Sequence, residues 1–129
     1  MQLSNFLRTI LKLDAASCLG MAALTLPAAG ALQLPLGIGS SLLQAAAAAL
    51  VPIGLFMLWL GSRREAPAAY VWLVILGNLG WAIASLFAAS TIPGITSLGQ
   101  VAVTGQALAV LVLALAEWFG LRQSQAATA

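Results

Sequence analysis

The sequence has few of the residues on which most enzymes and metalloproteins depend. Its 129 residues include no histidine and one cysteine, Cys18, and only 6% of them are charged. A single cysteine excludes an intramolecular disulfide, and without histidine the common haem, zinc and di-iron sites lose their usual ligand. Ser17 and Cys18 have no histidine or other clear base to activate them as nucleophiles. We therefore expect no metal site, no cofactor and no enzymatic activity.

Hydrophobic residues are what the chain has in excess. They make up 62% of the sequence, and the mean hydropathy is +1.04, far above that of soluble globular domains. The charged residues occupy three short segments and separate two uncharged tracts, 15–62 and 66–116. Each tract is long enough for two spans of about 20 residues and a turn. The pattern predicts an all-α membrane protein of one domain, with four transmembrane helices that form an antiparallel bundle of two hairpins.

The apolar stretches and the turn residues between them place the four spans. Each hairpin turn contains Pro and Gly, which break a helix, in QLPLGIGS at 33–40 and in PG at 93–94. Within a transmembrane domain of residues 13–120, we predict the spans at about 13–32, 41–60, 68–89 and 99–119. Residues 1–12 are predicted to be a short amphipathic helix on the cytoplasmic surface or a frayed terminus, and residues 121–129 a cytoplasmic tail.

The basic residues predict the orientation of the bundle. All five lie in the N-terminal segment, the central loop or the C-terminal segment, and neither hairpin turn contains one. Because cytoplasmic segments are enriched in Lys and Arg, both termini are predicted to lie in the cytoplasm, an N-in, C-in topology. Five bases divided among three segments make no patch for nucleic acid. The expected partners are therefore the lipid bilayer and other membrane-embedded helices.

A cleavable signal peptide is the alternative explanation of the first span. Basic residues, an apolar stretch and the small residues Ala29-Gly30-Ala31 match its three parts, and Pro27 also fits a signal. Cleavage would leave three spans in place of a four-helix bundle. We therefore favour retention of the segment.

Span three has two distinct faces at 3.6 residues per turn. The face with small and polar residues consists of Val71, Val74, Asn78, Ala82, Ser85 and Ala89. The hydrocarbon face consists of Leu73, Leu76, Ile83 and Phe87. We predict that the first faces protein, because Asn78 lies near the middle of the span, where its amide has no water to bond with. Its expected hydrogen-bond partners are Thr25 and Gln106, at a similar depth.

Polar side chains of all four spans form a candidate intramembrane cluster. It consists of Thr25, Gln44, Asn78, Trp81, Ser85 and Gln106. Counted along ideal helices, Thr25, Asn78 and Gln106 lie in one layer about 15 to 19 Å from the cytoplasmic ends of their spans. Gln44 and Ser85 form a second layer nearer the outer surface, about 24 Å deep.

Charged residues form a second candidate group. Asp14 and Glu117 are predicted at the cytoplasmic boundary, within reach of Arg63, Arg64 or Arg122. In one interpretation these carboxylates are the mouth of a polar path that binds a proton or a cation. In the other, interhelical hydrogen bonds and interfacial ion pairs hold the bundle in register. We favour the second interpretation, because no carboxylate is predicted at mid-depth.

Span four carries a seam of small residues that lets a neighbouring helix approach closely. The seam consists of Ala102, Gly105, Ala109 and Ala116. The first expectation for function is therefore a non-enzymatic bundle that associates with itself or with other membrane proteins. The alternative is a small transporter or transporter subunit with a polar path through the bundle. A cavity that reaches Asn78 and Gln106 would favour the alternative.

Two short sequences repeat 59 positions apart. Trp59-Leu60-Gly61-Ser62-Arg63 and Trp118-Phe119-Gly120-Leu121-Arg122 share the pattern Trp-x-Gly-x-Arg, and each closes a hairpin. The repeat indicates either a duplicated hairpin or the general preference for Trp and Arg at cytoplasmic span ends.

Three short motifs link the chain to a group of bacterial proteins. They are Leu13-Asp14-Ala15, then Gly77-Asn78-x-x-Trp81-x-x-x-Ser85, and finally Glu117-x-x-Gly120-Leu121-Arg122. With these motifs the chain resembles, over nearly its whole length, uncharacterised bacterial four-span integral membrane proteins of similar size. The resemblance implies a multi-pass protein of the bacterial inner membrane and no known activity.

Overall fold

Four helices account for almost the whole of the structure, a computed structural model that describes residues 1–128. The helices are α1 (Asn5–Leu36), α2 (Ser40–Ser62), α3 (Ala68–Thr91) and α4 (Ser97–Thr128). Each is long and apolar enough to cross a membrane, which confirms the all-α class and the four helices predicted from the sequence. We call the end with the N-terminus, the α2–α3 loop and the end of α4 the basic end, and the opposite end the turn end.

The bundle is open along one side. Helix α1 packs against α2 and α4, and α3 packs against α4, whereas the backbones of α2 and α3 stay apart along most of their described length. The two approach each other near the basic end, where the rings of Trp59 and Tyr70 are 6.1 Å apart and the ring of Phe56 lies within 6.1 Å of both. A gap therefore separates α2 from α3 beyond these aromatic rings.

Small residues at seven-residue spacing occupy the buried positions of three helices. They are Ala15, Ala22 and Ala29 of α1, Ala47, Gly54 and Gly61 of α2, and Ala107 and Ala114 of α4. A seven-residue repeat keeps one face of a helix against its neighbour, and small side chains let the two backbones come close. At Gly54, for example, a Cβ would lie only 2.8 Å from the side chain of Leu19 on α1. The close packing of α1 and α2 depends on this glycine.

The seam predicted on span four is not buried within the described chain. Ala102, Gly105 and Ala109 are exposed, and nothing lies within 4 Å of the Cβ position at Gly105. Ala116 is half-buried. Helix α4 packs through other positions, among them Gly99, Ala107, Ala114 and Gly120.

The two faces predicted for span three are confirmed. All members of the small and polar face except the half-buried Ser85 are buried in α3, together with Ile75. The four residues of the hydrocarbon face are 60% to 68% exposed. The exposed face of α3 is therefore hydrocarbon, as a lipid environment requires.

Residues 1–12 do not form a separate helix at the surface, and they are not frayed. Helix α1 begins at Asn5 and continues through the first span without a break, and Leu7 and Leu11 are fully buried. The predicted pattern is correct in its periodicity, but its apolar face packs on other helices and not on lipid headgroups. In the same way α4 continues to Thr128 through most of the predicted tail.

The first residues of the chain close the basic end. The amide of Leu3 donates to the carbonyl of Arg64 at 2.8 Å, and the amide of Ala66 donates to the carbonyl of Met1 at 3.0 Å. The amide of Ser4 donates to the hydroxyl of Ser124 at 2.9 Å. These bonds tie the N-terminus to both the α2–α3 loop and the end of α4.

Both copies of the Trp-x-Gly-x-Arg pattern adopt the same local arrangement. The guanidinium of Arg63 lies 5.6 Å from the centroid of the Trp59 ring, and that of Arg122 lies 5.3 Å from the Trp118 ring. Such pairs are attractive because the ring face is electronegative. In each copy, the arginine therefore remains beside the helix end that carries its tryptophan.

The glycines of the two patterns lie against the first turns of α1. A Cβ at Gly61 would be 3.1 Å from the carbonyl oxygen of Arg8, and a Cβ at Gly120 would be 2.8 Å from Cβ of Leu7. Larger side chains at either position would push α1 away from its neighbours.

The two hairpin turns contact each other at the turn end. The hydroxyl of Thr96 donates to the carbonyl of Pro35 at 2.7 Å, and its amide donates to the carbonyl of Leu36 at 3.1 Å. Gly37 has a φ of 68° and approaches the backbone of Gly94 too closely for a Cβ. Only glycine fits there, because both its conformation and its contact exclude a side chain.

Candidate functional site

Three buried polar side chains from three helices meet inside the bundle. The amide nitrogen of Asn78 on α3 donates to Oδ2 of Asp14 on α1 at 2.6 Å and to Oε2 of Glu117 on α4 at 3.0 Å. Asp14 is 1% exposed, Asn78 7% and Glu117 0%. The carboxyl groups of Asp14 and Glu117 are close to each other, because both accept from the same amide nitrogen. We call these three residues the carboxylate cluster.

The carboxylate cluster corrects two expectations from the sequence. Asn78 bonds to Asp14 and Glu117 and not to Thr25 or Gln106. The two carboxylates do not lie at the boundary of the bundle but at the level of Asn78. The reason is the length of α1 and α4, which extend several residues beyond the predicted spans at the basic end.

Ideal helix geometry accounts for the common level of the three residues. Asp14 follows the start of α1 at Asn5, Asn78 follows the start of α3 at Ala68, and Glu117 precedes the end of α4. At 1.5 Å per residue each is about 14 to 17 Å from the basic end of its own helix. The three side chains therefore lie at one level inside the bundle, well away from its basic end.

The predicted ion pairs with arginine are wrong. Among residues 1–128, the hydrogen-bond partners of the two carboxyl groups are Asn78 and Cys18, whose Sγ lies 3.8 Å from Oδ1 of Asp14. Arg63 and Arg122 instead lie over tryptophan rings at the basic end.

One atom of the carboxylate cluster has no partner. Oε1 of Glu117 is buried and accepts no hydrogen bond from residues 1–128. A charged oxygen without a donor is costly in an apolar interior. A bound proton or a nearby cation would remove that cost.

A cavity of about 600 Å³ lies between the four helices, next to the carboxylate cluster. Its polar lining consists of Asp14, Ser17, Cys18, Asn78, Trp81 and Gln106. The remaining wall is apolar, with side chains from all four helices. Ile53 of α2 and Leu73 of α3 line the cavity and are also exposed, 40% and 62%. The cavity therefore opens to the surface through the gap between α2 and α3.

The predicted intramembrane cluster is only partly assembled. Nε1 of Trp81 donates to Oε1 of Gln106 at 3.1 Å, and both side chains line the cavity on the turn-end side of Asn78. Thr25, Gln44 and Ser85 take no part in this bond or in the carboxylate cluster. The described side chains thus form two separate polar groups and no continuous path from end to end.

Sequence reasoning did not identify several residues of the cavity wall. Phe56, Met57 and Gly77 line it, and nothing lies within 4 Å of the Cβ position at Gly77. The glycine directly before Asn78 is the one signal that could have indicated open space beside the amide, because glycine within a helix weakens it unless space or contact requires it.

Comparisons of the chain with models of protein families, with curated proteins and with solved structures find no match. The functional argument therefore depends on the geometry of the site.

Proposed function

We propose that this protein is a small transporter, or a subunit of one, which binds a cation in its central cavity through the carboxylate of Asp14, with the buried Glu117 beside it on the same amide of Asn78. One observation carries the proposal. The carboxylate of Asp14 is buried, has no basic partner among residues 1–128, and lies in the wall of a cavity of about 600 Å³. Of the two functions considered from the sequence, a cavity that reaches Asn78 and Gln106 favours the transporter.

The carboxylate cluster provides a physical basis for exchange of a cation and a proton. A buried pair of acids is least costly when its net charge is zero. Two protons on the pair satisfy this condition, and so do one proton and one monovalent cation. Cation binding would then break one carboxyl O–H bond and release that proton to water, and proton return would expel the cation. This is the coupling that a proton-driven exchanger requires.

The groups around the pair support this exchange. Cys18 is the only other titratable side chain that contacts it in the described chain, and it is on the same helix as Asp14. Helix α3 contributes the neutral amide of Asn78, and the α2 residues in the cavity wall are apolar. No fixed positive charge therefore competes with a bound cation.

The difference between the closed basic end and the open side of the cavity supports the proposal, because a transporter is closed in one direction while it is open in another. Leu3, Leu7, Leu11, Leu60 and Leu121 are buried at the basic end, between the carboxylate cluster and the chain termini. The cavity has its opening on the side instead. Access from one direction at a time is the basis of alternating access.

We place this activity in the bacterial inner membrane, on the basis of the sequence resemblance. We also propose that the chain has no catalytic activity of its own, as its composition indicates. Association with a second copy or with another membrane protein is part of the proposal, because Ala102 and Gly105 of the α4 seam are exposed and no atom of residues 1–128 lies within 4 Å of the Cβ position at Gly105.

Transport in reconstituted liposomes tests the proposal. Proteoliposomes loaded with either ethidium or potassium ions are diluted to set an outward cation gradient, and a pH-sensitive dye inside reports proton uptake. Wild-type protein should couple efflux of at least one of these cations to proton uptake, and Asp14→Asn should abolish it. Gly80→Leu is the control, because its Cβ position is open and it is not part of the cavity wall. Equal proton uptake by wild type and Asp14→Asn with both cations would refute the proposal.

A further inference from the structure

We infer that the ligand of the cavity is an amphipathic organic cation with a single positive charge, and that it reaches Asp14 sideways from the bilayer, through the gap between α2 and α3. The inference rests on the function proposed above and adds the chemical class of the ligand and its route.

The wall of the cavity fits a hydrocarbon body better than a hydrated inorganic ion. An inorganic cation needs oxygen or nitrogen ligands on most sides, and residues 1–128 contain no group of three or more His, Cys, Asp or Glu arranged to hold a metal ion. Away from Asp14 the wall consists mostly of side chains such as Met57, Val110 and Leu113. A volume of about 600 Å³ lies within the usual range of sites for small organic molecules.

The polar part of the wall fits a single positive charge. Asp14 offers the negative charge, and the rings of Phe56 and Trp81 line the same cavity. Aromatic faces attract organic cations, most strongly where water is excluded. The bond from Trp81 to Gln106 fixes the indole against the wall. Neutrality of the carboxylate pair selects one charge, since a second would leave an excess that no other buried acid offsets.

The route follows from which sides of the bundle are closed. The N-terminal residues and buried leucines close the basic end, and the contact of Thr96 with Pro35 and Leu36 joins the two turns at the other end. Between α2 and α3, by contrast, the exposed Ile53 and Leu73 belong to the cavity wall. In a membrane this opening faces lipid, where amphipathic molecules concentrate because their apolar part leaves water.

Two probes of the same shape and opposite charge test the ligand class. Binding of tetraphenylphosphonium and tetraphenylborate is measured by calorimetry on protein in nanodiscs of phosphatidylcholine, with empty nanodiscs as the background. The wild type should bind the cation at least about tenfold more tightly than the anion. Gly77→Leu should remove this binding because it fills the cavity, while Gly80→Leu on the same helix should retain it. Both glycines have open Cβ positions, but only Gly77 lines the cavity.

The results separate the inference from the proposed function. Tighter or equal binding of tetraphenylborate, or binding that Gly77→Leu leaves intact, would overturn the ligand class. Proton uptake driven by potassium ions alone in the liposome experiment would overturn it too, while the proposed transport of a cation would stand.

The lateral route is tested with two substitutions on α3. Leu73 and Leu76 are similarly exposed, 62% and 60%, but only Leu73 borders the cavity. Leu73→Trp should slow association of tetraphenylphosphonium at least about tenfold in stopped-flow measurements, and Leu76→Trp should leave it within about twofold of wild type. Equal association rates for the two variants would show that the ligand does not pass between α2 and α3.

Discussion

Asn78 and Glu117 are joined by a hydrogen bond of 3.0 Å although they are 39 residues apart in the sequence and belong to different helices. The same amide nitrogen bonds to Asp14 at 2.6 Å. One side chain therefore fixes the relative positions of α1, α3 and α4. Changes at this point should affect the stability of the whole bundle and not of one helix.

Replacing Asn78 should lower the free energy of unfolding more than replacing any other uncharged polar residue in the spans. Asn78→Leu leaves two buried carboxyl groups without their donor, so we expect a loss of about 3 kcal/mol in the free energy of unfolding. Ser85→Ala, on the same face but outside the carboxylate cluster, should change it by less than about 0.5 kcal/mol. Equilibrium unfolding of the purified protein in mixed detergent micelles measures both. If Asn78→Leu and Ser85→Ala have the same free energy of unfolding, Asn78 does not hold the three helices together.

Glutamine should replace glutamate at position 117 with little loss of stability. Its amide oxygen can still accept from Asn78, and an N–H group that can donate to Asp14 replaces the buried Oε1, which accepts no hydrogen bond from residues 1–128. We expect the free energy of unfolding of Glu117→Gln to lie within about 1 kcal/mol of the wild-type value. Glu117→Ala should lose about 2 to 4 kcal/mol, because it leaves both a cavity and an unmet donor. Equal losses in the two variants would mean that the native site requires a full charge on Glu117.

A methyl group at Gly120 should destabilise the bundle, and one at Gly80 should stabilise it. The new Cβ at Gly120 would meet Cβ of Leu7 at 2.8 Å and its Cα at 3.0 Å, so backbone must move. Gly120→Ala should therefore lower the free energy of unfolding by about 1 to 3 kcal/mol. Gly80→Ala meets nothing within 4 Å and should gain up to about 1 kcal/mol from helix propensity. The sign of the difference between their thermal midpoints is the test, and a higher midpoint for Gly120→Ala contradicts the packing described here.

The hydroxyl of Ser124 should protect the N-terminus. Ser124 is fully buried, donates to the carbonyl of Gly120 at 2.8 Å and accepts from the amide of Ser4 at 2.9 Å. Ser124→Ala should lower the free energy of unfolding by about 1 kcal/mol and speed hydrogen exchange at the Ser4 amide. Ser62→Ala removes an equivalent bond within a helix, from Ser62 to the carbonyl of Leu58 at 2.7 Å, at an exposed site, and serves as the control. Unchanged exchange at Ser4 in Ser124→Ala would contradict this prediction.

The orientation predicted from the basic residues can be tested with single cysteines in a Cys18→Ala background. Ser62 and Ser97 are both exposed, one at the basic end and one at the turn end. An impermeant thiol reagent added outside intact cells should label a cysteine at Ser97 and not one at Ser62. The reverse pattern of labelling would invert the topology.

The sequence predicted best those features that depend on the periodicity of one helix. The two faces of α3 follow from residue type at 3.6 residues per turn. Hydrocarbon side chains can face lipid, whereas polar side chains need hydrogen-bond partners that only the protein interior provides. The four spans follow from hydropathy and turn residues in the same way. These inferences needed no knowledge of which helices are neighbours.

The site was predicted only in its components. Asp14, Asn78 and Glu117 were all identified as candidates, but their contact depends on the length of α1 and α4. The predicted spans one and four were too short at the basic end, because charged residues there were taken to mark the end of each span. Residues such as Arg8 and Lys12 lie within α1 because Leu7 and Leu11 on the same turns are buried against other helices. The cavity depends on the absence of packing between α2 and α3, which no local pattern encodes.

The order in which the carboxylate cluster is synthesised has a consequence for membrane insertion. Asp14 emerges with the first helix, and its hydrogen-bond donor Asn78 follows 64 residues later. At translation rates of roughly 5 to 20 residues per second the delay is about 3 to 13 seconds. During that time Asp14 has no partner on another helix of its own chain, so the first helix has to wait near the water boundary, or insert with the acid neutralised, until the third and fourth helices arrive. The interhelical hydrogen bond of Asp14 therefore forms late in biogenesis, although α1 is made first.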